Sequence, residues 1–207
     1  LLVVPTVALA LDQERRLRET LPSTSDGGDN TLFAYHGDLD AEQKSYLRQR
    51  VAEGRQALVV ASPEAVVHGL RSALHQCASA GRLRSIVIDE AHLVSQWGTE
   101  FRPDFQAIAG VRRLLLTASP AGRAPRTILL SATVTQDSYG TLKTLFGSPE
   151  LDLVIANHLR PEPSYWIAKA PDEATRGAWL GEALRLLPRP LIVYTALREH
   201  ADDWYES

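Results

Sequence analysis

The sequence is poor in the residues that mark an extracellular or membrane protein. It has one cysteine, Cys77, three lysines and no methionine in 207 residues. A lone cysteine excludes a disulfide within the chain and a cysteine-based zinc site. Together with the lack of a secretory signal, this predicts a cytoplasmic location. No apolar run approaches the roughly 20 residues of a membrane span, so we expect no membrane partner.

The net charge is too small to indicate a partner by itself. At −3, with 23% charged and 44% hydrophobic residues, the chain has the composition of a globular protein with a sizeable core. A strongly basic chain would have indicated nucleic acid on charge alone. Any site for a polyanion must therefore be built locally, from a few residues.

Short apolar runs alternate with helical stretches along most of the chain. Continuous apolar runs are typical of strands buried on both faces of a parallel sheet, and the alternation predicts βαβ units. We therefore predict an α/β fold with a three-layer, mostly parallel sheet. The predicted strands are residues 1–4, 32–35, 57–61, 85–89, 127–131, 151–156 and 191–195, and the predicted helices are 7–21, 41–52, 63–77, 105–116, 136–145, 174–187 and 197–206.

A break in this pattern divides the chain. Residues 158–164 contain Pro161 and Pro163 and lack apolar periodicity, which is typical of a linker. We predict one domain over residues 1–158. Residues 159–207 would be a linker and the start of a second α/β domain, too short to bury a normal core alone.

Polar side chains stand at or just after the ends of four predicted strands. These are Thr6, Ser62, Asp89 and Ser131. The carboxyl ends of parallel strands share one edge of the sheet, and ligands bind there. We therefore expect these residues to lie along one site.

The acidic pair Asp89-Glu90, after the apolar run 86–88, is the strongest chemical signal. It is the Walker B arrangement, in which the first carboxylate helps to hold Mg²⁺ on nucleotide phosphates and the second polarises an attacking water. An isolated pair could instead cap a helix, but the full Asp89-Glu90-Ala91-His92 after a buried strand favours the metal. His92 has no second His or Cys at ligand spacing, which argues against a zinc site or a metal-dependent hydrolase.

Two further features have two interpretations each. The first feature is the pair of helix starts at Thr6 and Ser62. These residues could be ordinary helix caps, or the backbone N–H groups at their helix starts could bind nucleic-acid phosphates. Both interpretations stay open. The stretch 96–103 could be a buried aromatic cluster. Because it follows the acidic strand end so closely, we favour a loop that stacks on bases and contacts phosphate. Its candidate residues are Gln96, Trp97, Phe101 and Arg102.

Taken in order, these stretches resemble the motifs of the first motor domain of superfamily 2 helicases. The ordered set spans nearly the whole chain. Residues 95–98 and 101–103 are similar to the aromatic-rich loop of the RecQ branch, and residues 159–161 are also similar to RecQ-like chains. The other similar stretches are motif Ia from residue 3 to Gln13, motif Ib at 61–64, motif II at 89–92, motif III at 131–133 and motif IV from residue 191 to the helix at Leu197.

The resemblance implies a RecA-like fold of the P-loop NTPase type and a DEAH-box, ATP-dependent, RecQ-like DNA helicase, with ATP and Mg²⁺ as cofactors. Single-stranded DNA and duplex junctions would be its partners, and DNA repair its setting. An RNA-dependent ATPase of the same superfamily and a catalytically inactive nucleic-acid-binding scaffold remain the alternatives. By position in the family's motifs, Asp89 would hold Mg²⁺ and Glu90 would activate water. The nucleotide and DNA sites would be connected by His92, Ser131 and Thr133. Single-stranded DNA would be contacted by Gln96, Trp97, Phe101 and Arg102, and its backbone by Thr6 and Ser62.

The sequence departs from the family pattern at its two ends. No G-x-x-x-x-G-K-[ST] occurs, since no lysine follows a glycine, and this loop normally cradles the nucleotide phosphates. The arginine finger of the second domain, typically worth on the order of 10³–10⁵ in rate, would lie beyond residue 207.

We therefore predict that residues 1–207 alone neither hydrolyse ATP nor unwind DNA. The measurement is ATP turnover by the purified polypeptide with and without single-stranded DNA. DNA-stimulated turnover above a blank would contradict this prediction.

Overall fold

A computed structural model describes residues 1–20, 32–95, 103–147, 151–155, 164, 166–195 and 197. The chain divides into two compact units, Leu1–Leu153 and Val154–Ser207. The predicted boundary at residue 158 lies close to this division, and the assignment of the two parts to separate domains stays a prediction. Among the described residues, no helix combines the length and the apolar character needed to cross a bilayer.

Five strands form the sheet of the first unit. They are β1 Leu2–Val3, β2 Ala34–Tyr35, β3 Val60–Ala61, β4 Ser85–Ile88 and β5 Arg126–Leu129. Their spatial order is β2-β3-β1-β4-β5, and every pairing is parallel. The predicted α/β fold is confirmed, and the strands are mostly shorter than their apolar runs.

Helices connect these strands. One of these helices begins after Asp40, whose carboxylate accepts a hydrogen bond from the Gln43 N–H at 2.7 Å. The Gln43 side chain in turn accepts a hydrogen bond from the Asp40 N–H at 3.2 Å. Such reciprocal bonds satisfy N–H groups that have no partner within the helix. The helices are α1 Val7–Thr20, α2 Ala41–Ala52, a π-helix Ala65–Leu70 that continues into α3 Arg71–Ser79, a 3₁₀-helix Ala91–Ser95, α4 Pro103–Ala118, α5 Gln136–Phe146 and α6 Glu173–Leu186.

The sheet of the first unit has an apolar layer on each face. Successive side chains of a strand point to opposite faces, so Val3 and Ala61 join the larger cluster while their neighbours Val4 and Val60 join the smaller one. Helix α1 contributes Ala10 to the smaller cluster, and helices α2 to α5 contribute to the larger one. This arrangement confirms the predicted three layers.

Two predicted strands are wrong where the structure describes them. Residues 151–155 and 191–195 are apolar, but neither stretch forms a strand, and Val154 and Ile192 are 93% and 73% exposed. A strand exists only where a neighbour completes its hydrogen bonds, and an apolar run does not reveal whether a neighbour is present. The predicted helix 63–77 is also divided, since its first part is a π-helix. The predicted helix 197–206 lies outside the described residues apart from Leu197.

A buried arginine fixes α4 against β5 and α5. Arg112 is only 4% exposed. Its Nε donates to the Thr127 Oγ1 at 2.7 Å, and its guanidinium lies 5.8 Å from the centre of the Phe146 ring. Burial lowers the pKa of Arg112 from its ordinary value, with a smaller contribution from Arg113. A buried charge must be hydrogen-bonded. These contacts therefore constrain the position of β5 relative to α4 and α5.

The close approach of Gly69 to Tyr35 generates a stability prediction. A Cβ on Gly69 would lie 2.5 Å from Tyr35 Cε1 and 2.9 Å from its hydroxyl, and the Tyr35 ring is buried. We expect Gly69→Ala to lower the free energy of unfolding by about 1–3 kcal/mol because the ring must shift. The matched control is Gly140→Ala in α5, where a Cβ meets nothing within 4 Å, and it should stabilise by about 0.5–1 kcal/mol. Chemical denaturation measures both, and a Gly69→Ala change that behaves like the control would contradict the packing.

Candidate active site

Four strand ends carry the predicted polar residues to one edge of the sheet. Ser62 follows β3, Thr6 follows β1 after Pro5, Asp89 follows β4, and Ser131 follows β5 with one residue between. These four strands are adjacent and parallel. The polar residues therefore stand along one edge, as the sequence predicted, and the strand order arranges them as Ser62, Thr6, Asp89, Ser131.

The backbone of the acidic pair is hydrogen-bonded to the strands on both sides. The Asp89 N–H donates to the Val3 carbonyl at 2.9 Å, and the Ala91 N–H donates to the Leu130 carbonyl at 2.9 Å. On the same side as β5, the Leu130 N–H donates to the Ile88 carbonyl at 2.8 Å. The two carboxylates are thus attached to a segment that β1 and β5 hold in place.

Glu90 adopts an uncommon backbone conformation. Its φ is +49°, the only positive value at a non-glycine position among the described residues. The left-handed region costs an L-residue roughly 1–2 kcal/mol. The Glu90 N–H donates to the Asp89 Oδ1 at 2.9 Å, which holds the turn and orients the first carboxylate. Strain of this kind, in a segment fixed on both sides, is a common property of functional sites.

His92 joins the acidic pair to the end of β5. Its Nδ1 lies 3.2 Å from Glu90 Oε2 and 2.9 Å from Ser131 Oγ. The Ser131 hydroxyl donates to the Thr133 carbonyl at 2.7 Å and accepts from the Thr133 N–H at 3.3 Å. An ionised carboxylate only accepts, and the single hydroxyl proton of Ser131 is already directed to Thr133. A proton on His92 Nδ1 would satisfy both contacts, with Glu90 Oε2 and with Ser131 Oγ.

The two helix starts on the other side of the acidic pair are capped by their own hydroxyls. Thr6 Oγ1 accepts from the Leu9 N–H at 3.2 Å. Ser62 Oγ lies 3.4 Å from the Ala65 N, which is long for a hydrogen bond, and Ser62 is only 6% exposed. Thr6 is exposed. Capping therefore occurs at Thr6 and weakly at Ser62, and any contact from the Ser62 turn to a phosphate must come from backbone N–H groups.

The structure brings some of the predicted residues together and says nothing of others. Asp89, Glu90, His92, Ser131 and Thr133 form one hydrogen-bonded group. The sequence contained no signal for the positive φ of Glu90 or for its contact with His92, because both depend on how the chain leaves β4. Gln96, Trp97, Phe101 and Arg102 lie outside the described residues.

Comparisons with known proteins indicate the family of the chain. A family model described as DEAD/DEAH box helicase matches residues 1–141. The chain is 33% identical to the ATP-dependent DNA helicase Q-like 2 of Arabidopsis thaliana, with 80% of this chain and 22% of that protein covered. It is 27% identical to the probable ATP-dependent DNA helicase RecS of Bacillus subtilis, with 98% of this chain and 37% of that protein covered. It is 31% identical to the RecQ-like DNA helicase BLM of Xenopus laevis, with 69% and 11% covered. The chain thus spans between about a tenth and about two fifths of the length of these curated relatives.

The backbone of Glu90 generates a prediction that separates strain from charge. Glu90→Ala and Glu90→Gly both remove the carboxylate, but only glycine adopts a positive φ without cost. We expect Glu90→Gly to unfold with a free energy about 1 kcal/mol higher than Glu90→Ala. The control is the same pair of substitutions at Glu42, an exposed residue in the first turn of α2, where glycine should be the less stable by about 0.5–1 kcal/mol. The same sign at both positions would show that Glu90 is not left-handed.

Proposed function

Since the chain belongs to the DEAD/DEAH box helicase family, we propose that it is the core of a RecQ-like, ATP-dependent DNA helicase. In the full-length protein it would couple ATP hydrolysis to translocation on single-stranded DNA and to the unwinding of duplex junctions, in the setting of DNA repair. The relatives that it matches carry the names of ATP-dependent DNA helicases. The observation that carries the proposal is the acidic pair, held between β1 and β5 and joined through His92 to Ser131.

The donor set fits Mg²⁺ on a bound nucleotide. Mg²⁺ prefers hard oxygen ligands and takes one or two carboxylates, with water and phosphate for the rest. Within the part of the chain that the structure describes, no three His, Cys, Asp or Glu side chains form a metal-binding group. Asp89 is the carboxylate that we assign to Mg²⁺, and the ion would supply neutralisation of phosphate charge.

We propose that Glu90 acts on the attacking water. A positioned carboxylate that accepts a proton contributes typically about 10²–10⁴ in rate. The side chain of Glu90 is 37% exposed, so solvent reaches it. One of its oxygens, Oε2, lies 3.2 Å from His92 Nδ1, and this contact orients the carboxylate. We assign to Glu90 the orientation of the water and the removal of its proton.

His92, Ser131 and Thr133 are the proposed relay toward the nucleic acid. A movement of the turn after β5 would change the Ser131–His92 bond, and His92 would pass that change to Glu90 through the shared Nδ1 proton. Thr6 and Ser62 begin helices on the same edge, and exposed backbone N–H groups at helix starts bind phosphates. Gln96, Trp97, Phe101 and Arg102 remain proposed contacts to single-stranded DNA on the strength of their sequence alone.

The names of the relatives favour DNA over RNA as the activating strand, and the acidic pair argues against a scaffold without turnover. Stimulation of ATP hydrolysis in the full-length protein by oligo(dT), compared with oligo(U) of the same length, separates the two nucleic acids. A larger effect of the RNA strand would favour the RNA-dependent ATPase.

Replacing Glu90 by glutamine tests the assigned chemistry. In the full-length protein, Glu90→Gln should lower DNA-stimulated turnover by about 10²–10⁴-fold because the proton acceptor is lost, while ATP affinity stays within a few-fold. Turnover is measured by phosphate release and affinity by equilibrium binding of a fluorescent ATP analogue. Glu42→Gln, at an exposed position in the first turn of α2, is the control for the loss of one negative charge and should leave both values unchanged. A turnover rate in Glu90→Gln equal to that of the control would refute the assignment.

A further inference from the structure

The π-helix that follows Ser62 contacts the beginning of α4 through one pair of side chains. His68 Nε2 lies 3.2 Å from Asp104 Oδ1. His68 belongs to the π-helix Ala65–Leu70, and Asp104 is the second residue of α4. The pair joins two segments that are 36 residues apart in the sequence.

The π-helix itself is confined on another side. Tyr35, at the end of β2, fills the space in which any side chain at position 69 would stand. π-Helices are rare, and they occur frequently at functional sites because they alter the direction of the side chains that follow. Tyr35 thus contacts the π-helix at Gly69, and Asp104 contacts it at His68. Two neighbouring elements therefore hold the π-helix that follows the Ser62 turn.

The contact is too exposed to be explained as a source of stability. The side chain of His68 is 73% exposed and that of Asp104 is 26% exposed, and exposed ion pairs contribute little to folding. The positive end of α4 favours a carboxylate in its first turn, which explains Asp104 but not the histidine opposite it. Fold stability therefore does not account for the pair, which joins the π-helix to the first turn of α4.

Helix α4 continues from this contact to the acidic pair. It packs against the π-helix at its beginning, and it also packs against the 3₁₀-helix Ala91–Ser95 that contains His92. A displacement of the Ser62 turn that moved His68 would therefore act on α4, and through α4 on the segment that orients Glu90. This route is separate from the bond between Ser131 and His92.

We propose that His68 and Asp104 are a positioning pair that couples the Ser62 turn, through α4, to the acidic pair. The proposal rests on the proposed function, in which the Ser62 turn touches a nucleic-acid backbone and Glu90 activates water. It assigns to neither residue a contact with nucleotide or with DNA.

The test is ATP hydrolysis by the full-length protein, measured with and without oligo(dT), for His68→Ala, Asp104→Ala and the double variant. Each single substitution should lower the maximal DNA-stimulated rate about 3- to 10-fold, within the range of coupling effects at a distance, and should change the DNA-free rate less. The double variant should lose no more than the larger single loss, because the two residues act through one contact. His68→Arg keeps a hydrogen-bond donor opposite Asp104 and should recover most of the stimulated rate.

The matched control is Asp137→Ala. Asp137 is the second residue of α5 and is exposed, so its removal takes a carboxylate from the same helix position without a histidine partner. Its stimulated rate should equal that of the unaltered protein. Two results would overturn the positioning role alone. In one, the losses of stimulated rate in the two single variants multiply in the double variant. In the other, the single variants are stimulated as strongly as the control. An unaltered protein whose hydrolysis ignores oligo(dT) would overturn the proposed function and the pair's role with it.

Discussion

The structure depends on two backbone hydrogen bonds that hold the acidic pair between its neighbours, from Asp89 to Val3 on β1 and from Ala91 to Leu130 after β5. They exist because the three strands are parallel and in register, with Val3 opposite Ile88 and Ile88 opposite Leu129. A slip of one residue would turn every side chain of β4 to the other face. The buried Ile86 and Ile88 oppose that slip, since it would remove them from the larger apolar cluster in which they pack.

The geometry of the site follows from this fixed segment. A left-handed Glu90 costs roughly 1–2 kcal/mol, and only a segment held on both sides keeps such a conformation. The turn brings Glu90 Oε2 to His92 Nδ1 at 3.2 Å, and His92 reaches Ser131 across to the end of β5. Arg112, buried between α4, β5 and α5, fixes the strand from which Ser131 comes. Carboxylates, imidazole and hydroxyl thus form a chain of contacts between the ends of two neighbouring strands.

The sequence was informative where burial alone determines structure. The apolar runs before Asp89 and Ser131 predicted neighbouring strands, and parallel pairing then placed their polar ends on one edge. The sequence was uninformative where the local structure depends on a contact with a distant part of the chain. Residues 151–155 and 191–195 have the composition of strands but no described neighbour to pair with. The Tyr35 ring leaves no space for a side chain at Gly69 in the π-helix, and Arg112 is buried against an aromatic ring 34 residues later, so neither contact has a local pattern.

The central claim is that Asp89 and Glu90 form the metal and water end of an ATP site. Its most direct test is a crystal structure of the full-length protein with Mn²⁺ and a non-hydrolysable ATP analogue, in which anomalous scattering locates the ion. We expect one anomalous peak beside the phosphate oxygens of the nucleotide, with Asp89 near it, directly or through one water. Glu90 should face the terminal phosphate. A nucleotide bound with its metal at other carboxylates, away from the end of β4, would contradict it.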